Sequence, residues 1–284
     1  MKVLVFGGNG MAGHMIRTYL AESGRYEVWY TIRESSKDLH AIQLDVSDSP
    51  SVVKTVRSLR PQVVINATGI LNEAAEQNIR EAICVNSLFP HQLACLGDKM
   101  GFRVIQISTD CVFSGRRGDY KEDDVTDGTT VYAKTKSLGE ITYGRHVTIR
   151  TSIIGPELKD GIGLFHWFMR QKGKIPGYRN VYWNGVTTLE LGKAIDWLIQ
   201  NPGVTGLVHL SAPKKINKYQ LLLWLKETFK REDVDVFPRD DIVSDKSLVN
   251  TRADFIYAVP PYPQLLKELH DWMRGHRFYH YSFG

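Results

Sequence analysis

Apolar residues run without interruption through Val3-Leu4-Val5-Phe6 and stop at Gly7-Gly8. A short continuous apolar run ending in glycine reads as a strand buried on both faces, as in a parallel sheet. Met11, Met15, Ile16 and Leu20 then recur at helical spacing and predict a helix over 11–22. The alternation continues, with strands predicted at 28–32, 41–44, 62–65, 104–107 and 147–149 and helices at 49–59, 79–100 and 131–143. Ser49-Pro50 opens the helix at 49–59 with a capping serine and a proline suited to the first turn. Strands and helices alternating at this pace predict an α/β fold, a Rossmann-type doubly wound parallel sheet with right-handed crossovers.

Beyond residue 150 the rhythm loosens, and glycine, proline and aromatic residues crowd 155–186. A helix at 187–200 and a strand at 206–210 are expected to rejoin the sheet, and helices near 217–230 and 262–274 to join a smaller C-terminal α/β portion. The organisation expected is a dinucleotide-binding domain over 1–155, completed by about 186–212, and a substrate-binding cap from 156–185 and 213–284. No internal repeat or low-complexity linker interrupts it.

A length of 284 residues, 43% hydrophobic and 24% charged, suits one such domain with a modest addition. The net charge of +5 is small for 36 basic and 31 acidic side chains, and leaves room for a basic pocket that takes a phosphorylated ligand. The densest basic stretch, Lys214-Lys215 with Lys218 nearby, is too short for a nucleic-acid surface. Cys84, Cys95 and Cys111 form no C-x-x-C pair and their number is odd, which argues against a disulfide framework or a zinc site and suits a reducing cytoplasm. The apolar run after Lys2 is too brief for a signal-peptide core, and none approaches the roughly 20 residues of a membrane span.

Gly7, Gly10 and Gly13 stand at G-x-x-G-x-x-G spacing where the first strand gives way to the first helix. Glycines there let backbone turn tightly and approach a pyrophosphate at the helix N-terminus. An NAD site would place Asp or Glu at the end of the second strand to bond the ribose 2′-hydroxyl. This chain offers Thr31 and Arg33, followed by Ser35 and Lys37, and a guanidinium pairs bidentately with a 2′-phosphate. NADP(H) is therefore favoured, with NAD(H) possible. Asp45-Val46 closes the third strand and Asn66-Ala67-Thr68-Gly69 the fourth, at the carboxyl ends where open α/β sheets bind ligands. The candidate cofactor residues are Gly7, Asn9, Gly10, Met11, Gly13, Arg33, Asp45, Val46, Ala67, Thr68, Gly69, Asn86 and Ser108, with Tyr132 and Lys136.

The fifth strand runs into Ser108-Thr109-Asp110-Cys111, and Tyr132 and Lys136 follow four apart on one face of a predicted helix. A free tyrosine has a pKa near 10, and a neighbouring ammonium would lower it. Tyr132 could then give a proton to a carbonyl oxygen held by Thr109 while hydride arrives from the cofactor.

These motifs together resemble the extended short-chain dehydrogenase/reductase superfamily. Within it, Ile107 through Gly115, Tyr132…Lys136…Gly139-Glu140 and Ile149-Arg150-Thr151-Ser152 resemble the dTDP-4-dehydrorhamnose reductase family, well to about residue 155 and more faintly through Gly185-Val186-Thr187-Thr188. The resemblance implies reduction of the C4 ketone of a 4-keto-6-deoxy nucleotide-diphosphate sugar by NAD(P)H, with Thr109, Tyr132 and Lys136 as the catalytic set. It also implies a homodimer built on helices 79–100 and 131–143. Cys111 departs from the tyrosine usual in these reductases. Sugar-nucleotide 4,6-dehydratases carry glutamate there, which is absent. GDP-fucose synthases, which epimerise and then reduce, carry cysteine, so Cys111 could move a proton at a carbon beside the ketone, with His166 the nearest partner. The alternatives are thus a bifunctional epimerase/reductase, a 4-epimerase, and an NADP-binding regulatory subunit without catalysis.

On the substrate side, Asp110, Phe165, Trp167, Trp183 and Thr187 are the candidates, with Phe168, Tyr178 and Tyr182 as further aromatic surfaces for a base or sugar ring. Lys174 and Arg179 could meet a diphosphate. Arg252 and Tyr262 are weaker candidates.

Overall fold

Val3 to Phe6 are fully buried although alternate residues of a strand point to opposite faces, so both faces of the first strand are covered. The computed structural model describes residues 1–159, 161–276, 278–279 and 281. The cap expected to reach 284 therefore ends, at 282–284, outside the described residues. In chain order, β1 (Lys2–Phe6), α1 (Met11–Glu22), β2 (Glu27–Ile32), β3 (Ala41–Gln43), α2 (Ser49–Leu59) and β4 (Val63–Asn66) build the first half. Then come α3 (Asn72–Gln77), α4 (Ile79–Ala82), a π-helical turn at Ile83–Leu88, α5 (Phe89–Met100), β5 (Arg103–Ile107), α6 (Val131–Leu138) and β6 (Val147–Arg150). The remainder is β7 (Ile153–Ile154), α7 (Leu164–Met169), β8 (Gly173–Tyr178), β9 (Val181–Trp183), β10 (Val186–Thr187), α8 (Thr188–Gln200) and β11 (Gly206–His209), followed by β12 (Ile216–Asn217), α9 (Lys218–Thr228), β13 (Val234–Arg239), β14 (Ser244–Asp245) and α10 (Tyr262–Gly275).

Seven strands form one parallel sheet in the order β11-β6-β5-β4-β1-β2-β3. Val3 and Val5 join α1 and α8 in one core through Ile16, Leu20, Leu191 and Ile195; Leu4 and Phe6 face the other way, onto Val52, Val56, Phe89 and Leu93. The order reverses between β1 and β4, the switch point at which such sheets bind ligands. A separate core holds the cap, with Phe165, Phe168, Leu221, Leu225, Phe229, Leu266 and Leu269 packed beneath the β8–β13 pair. No helix among the described residues is long and apolar enough to cross a membrane.

The helix expected over 79–100 is not uniform. Its middle widens into the π turn, and Pro90, which has no N–H to give the Asn86 carbonyl, lies just beyond. That carbonyl packs against Gly139, where any side chain would overlap it, and α6 ends at Leu138, with Gly139 as its C-cap, instead of continuing to 143.

Candidate active site

Gly13 is the close-packing glycine of the first turn: a Cβ there would run into the Gly7 carbonyl. Gly10 caps α1 and no side chain does, so the first-turn N–H groups remain for a ligand anion. In front of this turn a cavity of about 280 Å³ is lined by Gly7, Asn9 and Gly10, by Arg33, by Asp45 and Val46, and by Ala67, Thr68 and Gly69. The cavity also takes in Thr31, which the sequence offered beside Arg33, and adds residues that motif reading missed, among them Glu34, Ile70 and Lys159. Thr31 Oγ1 accepts from the Gly7 N–H at 3.2 Å and Thr68 Oγ1 donates to Asn66 Oδ1 at 2.6 Å, which fixes the strand ends that form its walls. An uncapped helix N-terminus, a glycine turn and a cation at the end of β2 are the donor set a phosphorylated dinucleotide requires.

Four expected cofactor residues stand behind this wall. Gly13 and Met11 belong to the turn and helix start but do not line the cavity. Asn86, aimed by the π turn, donates to the Ile70 carbonyl and accepts from its N–H, both at 2.9 Å, and donates to Thr135 Oγ1 at 3.1 Å. It ties the cavity loop to α6. Ser108 Oγ donates to Glu140 Oε1 at 2.7 Å, and Glu140 receives the Arg150 guanidinium through two bonds of 2.7 Å. Both ion-pair side chains are only 5% exposed. Ser108 is thus an anchor for the end of β5, one residue before Thr109.

Thr109, Tyr132 and Lys136 meet beyond that end. The Thr109 hydroxyl lies beside the Tyr132 phenol, donates to Asp110 Oδ1 at 3.2 Å and accepts from the Cys111 N–H at 3.1 Å. Lys136 Nζ donates to the Ile107 carbonyl at 2.6 Å, and burial pulls its ammonium down to about 8. The lowering of Tyr132 expected from this lysine is not found: burial dominates and, with Cys111 and Asp110 nearby, pushes the phenol up. The phenol therefore holds its proton at neutral pH, the state that a proton donor needs.

Asp110 is buried beside this set, its carboxyl pushed up by burial against the opposing pull of Lys246 and Lys218. Burial, then Asp110, pushes the Cys111 thiol up to about 11, so it too stays protonated. His166 Nδ1 and the Tyr281 hydroxyl lie 2.9 Å apart in the cap.

Other substrate candidates divide. Trp183 donates through Nε1 to Ser152 Oγ at 2.8 Å and carries Lys218 Nζ 4.7 Å over its ring. Burial pulls Lys218 down to about 8, opposed by Asp110 and Cys111, and the stem of Lys246 rests on Gly115. No motif flagged either lysine; Lys218 is simply the first residue of a cap helix. Phe165 and Phe168 are wholly buried, with Phe165 packed edge-on against Phe229 and Tyr281, and Trp167 packs on the same core. Thr187 caps α8 by accepting from the Glu190 N–H at 3.1 Å. Phe165 and Phe168 thus lie in the cap core, Trp167 is half-buried at its edge and Thr187 is a helix cap. Arg179 is paired with Asp240, Arg252 with Asp254, and Tyr262 donates to the Gly185 carbonyl, while Lys174 is exposed on β8 and Tyr178 and Tyr182 lie on β8 and β9. Among the described residues no cluster of His, Cys, Asp and Glu could hold a metal ion.

The doubly wound sheet, its glycine turn and the Thr/Tyr/Lys set define an extended short-chain dehydrogenase/reductase fold. Residues 1–167 match the family described as the RmlD substrate binding domain. The chain belongs to that family. It is 31% identical over 141 residues to a dTDP-4-dehydrorhamnose reductase of Aggregatibacter actinomycetemcomitans, covering 49% of this chain and 45% of that protein. The chain thus spans about half the length of that relative. A namesake from Salmonella typhimurium is 29% identical over 226 residues, covering 75% of this chain and 73% of the relative. The crystal structure of a hypothetical dTDP-4-dehydrorhamnose reductase from Sulfolobus tokodaii superposes with a TM-score of 0.78 at 26% identity, covering 91% of this chain and 96% of that one.

Proposed function

We propose that the chain reduces the C4 ketone of a 4-keto-6-deoxy nucleotide-diphosphate sugar, working in the cytoplasm with NADPH. The observation that carries this reading is the placement of Tyr132 and Lys136 on α6 beside Thr109 at the end of β5, in a sheet whose switch point opens on the glycine-lined cavity. The names of the Aggregatibacter and Salmonella relatives support the substrate class. Arg33, which lines the cavity at the end of β2, supports NADPH over NADH. The segments 156–185 and 213–284 hold the sugar nucleotide.

Bound reduced nicotinamide supplies hydride to C4. Tyr132 gives its phenolic proton to the C4 oxygen, which Thr109 steadies by its hydroxyl, so ketone, hydride and proton balance to an alcohol. Lys136, fixed by Ile107, holds positive charge near the phenolate that remains. Asp110, Trp183 and Lys218 line the sugar side. The test is oxidation of NADPH with a panel of 4-keto-6-deoxy dTDP- and UDP-sugars, with products identified by NMR in D₂O. Turnover without deuterium at C3 or C5 is expected, and turnover with no sugar would sink the proposal. Because Lys136 carries its proton below about 8 and loses it above, kcat/KM should fall as pH rises through that value. Lys218→Met should retain this limb, since the cause is assigned to Lys136.

A homodimer forms part of the same reading. Leu138, Leu88 and Tyr143 are 66%, 51% and 45% exposed, and His91 ties Leu138 to Tyr143 by donating to the Leu138 carbonyl and accepting from the Tyr143 hydroxyl, each at 2.8 Å. Sedimentation should give a dimer that Leu138→Glu dissociates; a monomeric native protein would refute it.

A further inference from the structure

Glu34 sits one residue after Arg33 and lines the same cavity. An acid at this edge ordinarily favours the unphosphorylated dinucleotide, because a carboxylate accepts from the ribose 2′-hydroxyl and repels a 2′-phosphate. Here the carboxylate is engaged. Lys159, from the loop that follows Gly155-Pro156, reaches across the mouth of the cavity, and its Nζ donates to Glu34 Oε1 at 2.5 Å. Both side chains are more than 60% exposed, so the bridge itself adds little to stability and can exchange partners readily.

The neighbouring charges point the same way. Arg33 makes no ion pair of its own among the described residues. Asp45, close to it, is bonded by the Ser47 N–H and hydroxyl at 2.9 and 2.7 Å, and Asp48 by the Ser51 N–H and hydroxyl. Glu34 is accordingly the acid at this edge whose side chain is held by a cation from the other wall.

We propose that Lys159 sets the choice of dinucleotide: it masks Glu34 and places a second positive charge beside Arg33, so that the edge accepts a ribose 2′-phosphate. The inference rests on reading the cavity as a dinucleotide site. Without Lys159, an uncovered carboxylate would face the phosphate and the site would turn toward the 2′-hydroxyl. A residue 125 positions away in sequence would thus decide what the end of β2 recognises.

The experiment is direct binding, by titrating NADPH and NADH against the whole protein and reading nicotinamide fluorescence, for the native chain, Lys159→Met, Glu34→Gln and the double variant. Lys159→Met should weaken NADPH about tenfold and leave NADH within threefold or tighter, as expected for loss of one charge-assisted contact to phosphate. The double variant should regain part of that loss, because the unmasked acid is gone. Thermal melting should not move, given the exposure of both side chains. An equal loss for both dinucleotides, or no change in their ratio, would overturn the proposal while leaving the dinucleotide site intact. Failure of the native chain to bind either dinucleotide would instead overturn the site itself.

Discussion

Replacing Tyr132 by Phe should lower kcat for ketone reduction by about 10²–10⁴-fold, the range for loss of a positioned general acid. NADPH affinity should stay within about threefold, because Tyr132 does not line the dinucleotide cavity. The substitution removes one oxygen and keeps the ring, so the packing of α6 against the end of β5 survives. The phenol is buried and raised by that burial, so water has little opportunity to replace it as donor. A variant with native kcat would show that the proton comes from elsewhere, and Asp110, whose carboxyl burial also keeps toward the protonated state, would be the group to examine next.

The largest effect on stability should come from Glu140→Ala. The carboxylate receives two bonds from Arg150 and one from Ser108 in a nearly dry site. Removing it leaves a buried guanidinium without its counter-charge, at a cost of about 3–5 kcal/mol. For a chain of this size that corresponds to a fall in Tm on the order of ten degrees, read by calorimetry or circular dichroism. Arg150 would keep weaker contacts, to the Glu122 carbonyl and His209 at 3.3 and 3.4 Å and to the Phe113 ring beneath it. A shift of a degree or two would mean that solvent reaches the pair. Activity should drop as well, because Ser108 loses the anchor that orients Thr109.

Sequence exposes what is local. The run from Val3 to Phe6 with its glycine turn, and Tyr132 with Lys136 one helical turn on, are each contained within a few residues, and the family resemblance rests on the same strings. The cap is less legible because its pairings are distant: Gly173 aligns with Val234, and Phe165 meets Phe229. An aromatic side chain in a loop-rich stretch carries no mark that separates a ligand platform from a core, and Phe165 lies wholly within the core while Trp167 is half-buried at its edge. Lys218 and Lys159 escaped for a related reason, since each acts on residues that folding alone brings near. Gly139-Glu140 and Ile149-Arg150 were visible as motif fragments, yet the buried ion pair joining them was not, because spacing gives no sign of charge burial.

The π turn at Ile83–Leu88 constrains how this chain can change over time. Ile83 on its outer face is exposed, and substitution there is open to drift. Changes in length are not. Deleting one residue would regularise the helix and rotate everything on one side of the cut by about 100° relative to the other. Asn86 would then swing away from Ile70 and Thr135, and its carbonyl away from Gly139. The segment can vary in letters while its count stays frozen, and a loss of one residue here would separate the cavity loop from the helix that bears Tyr132.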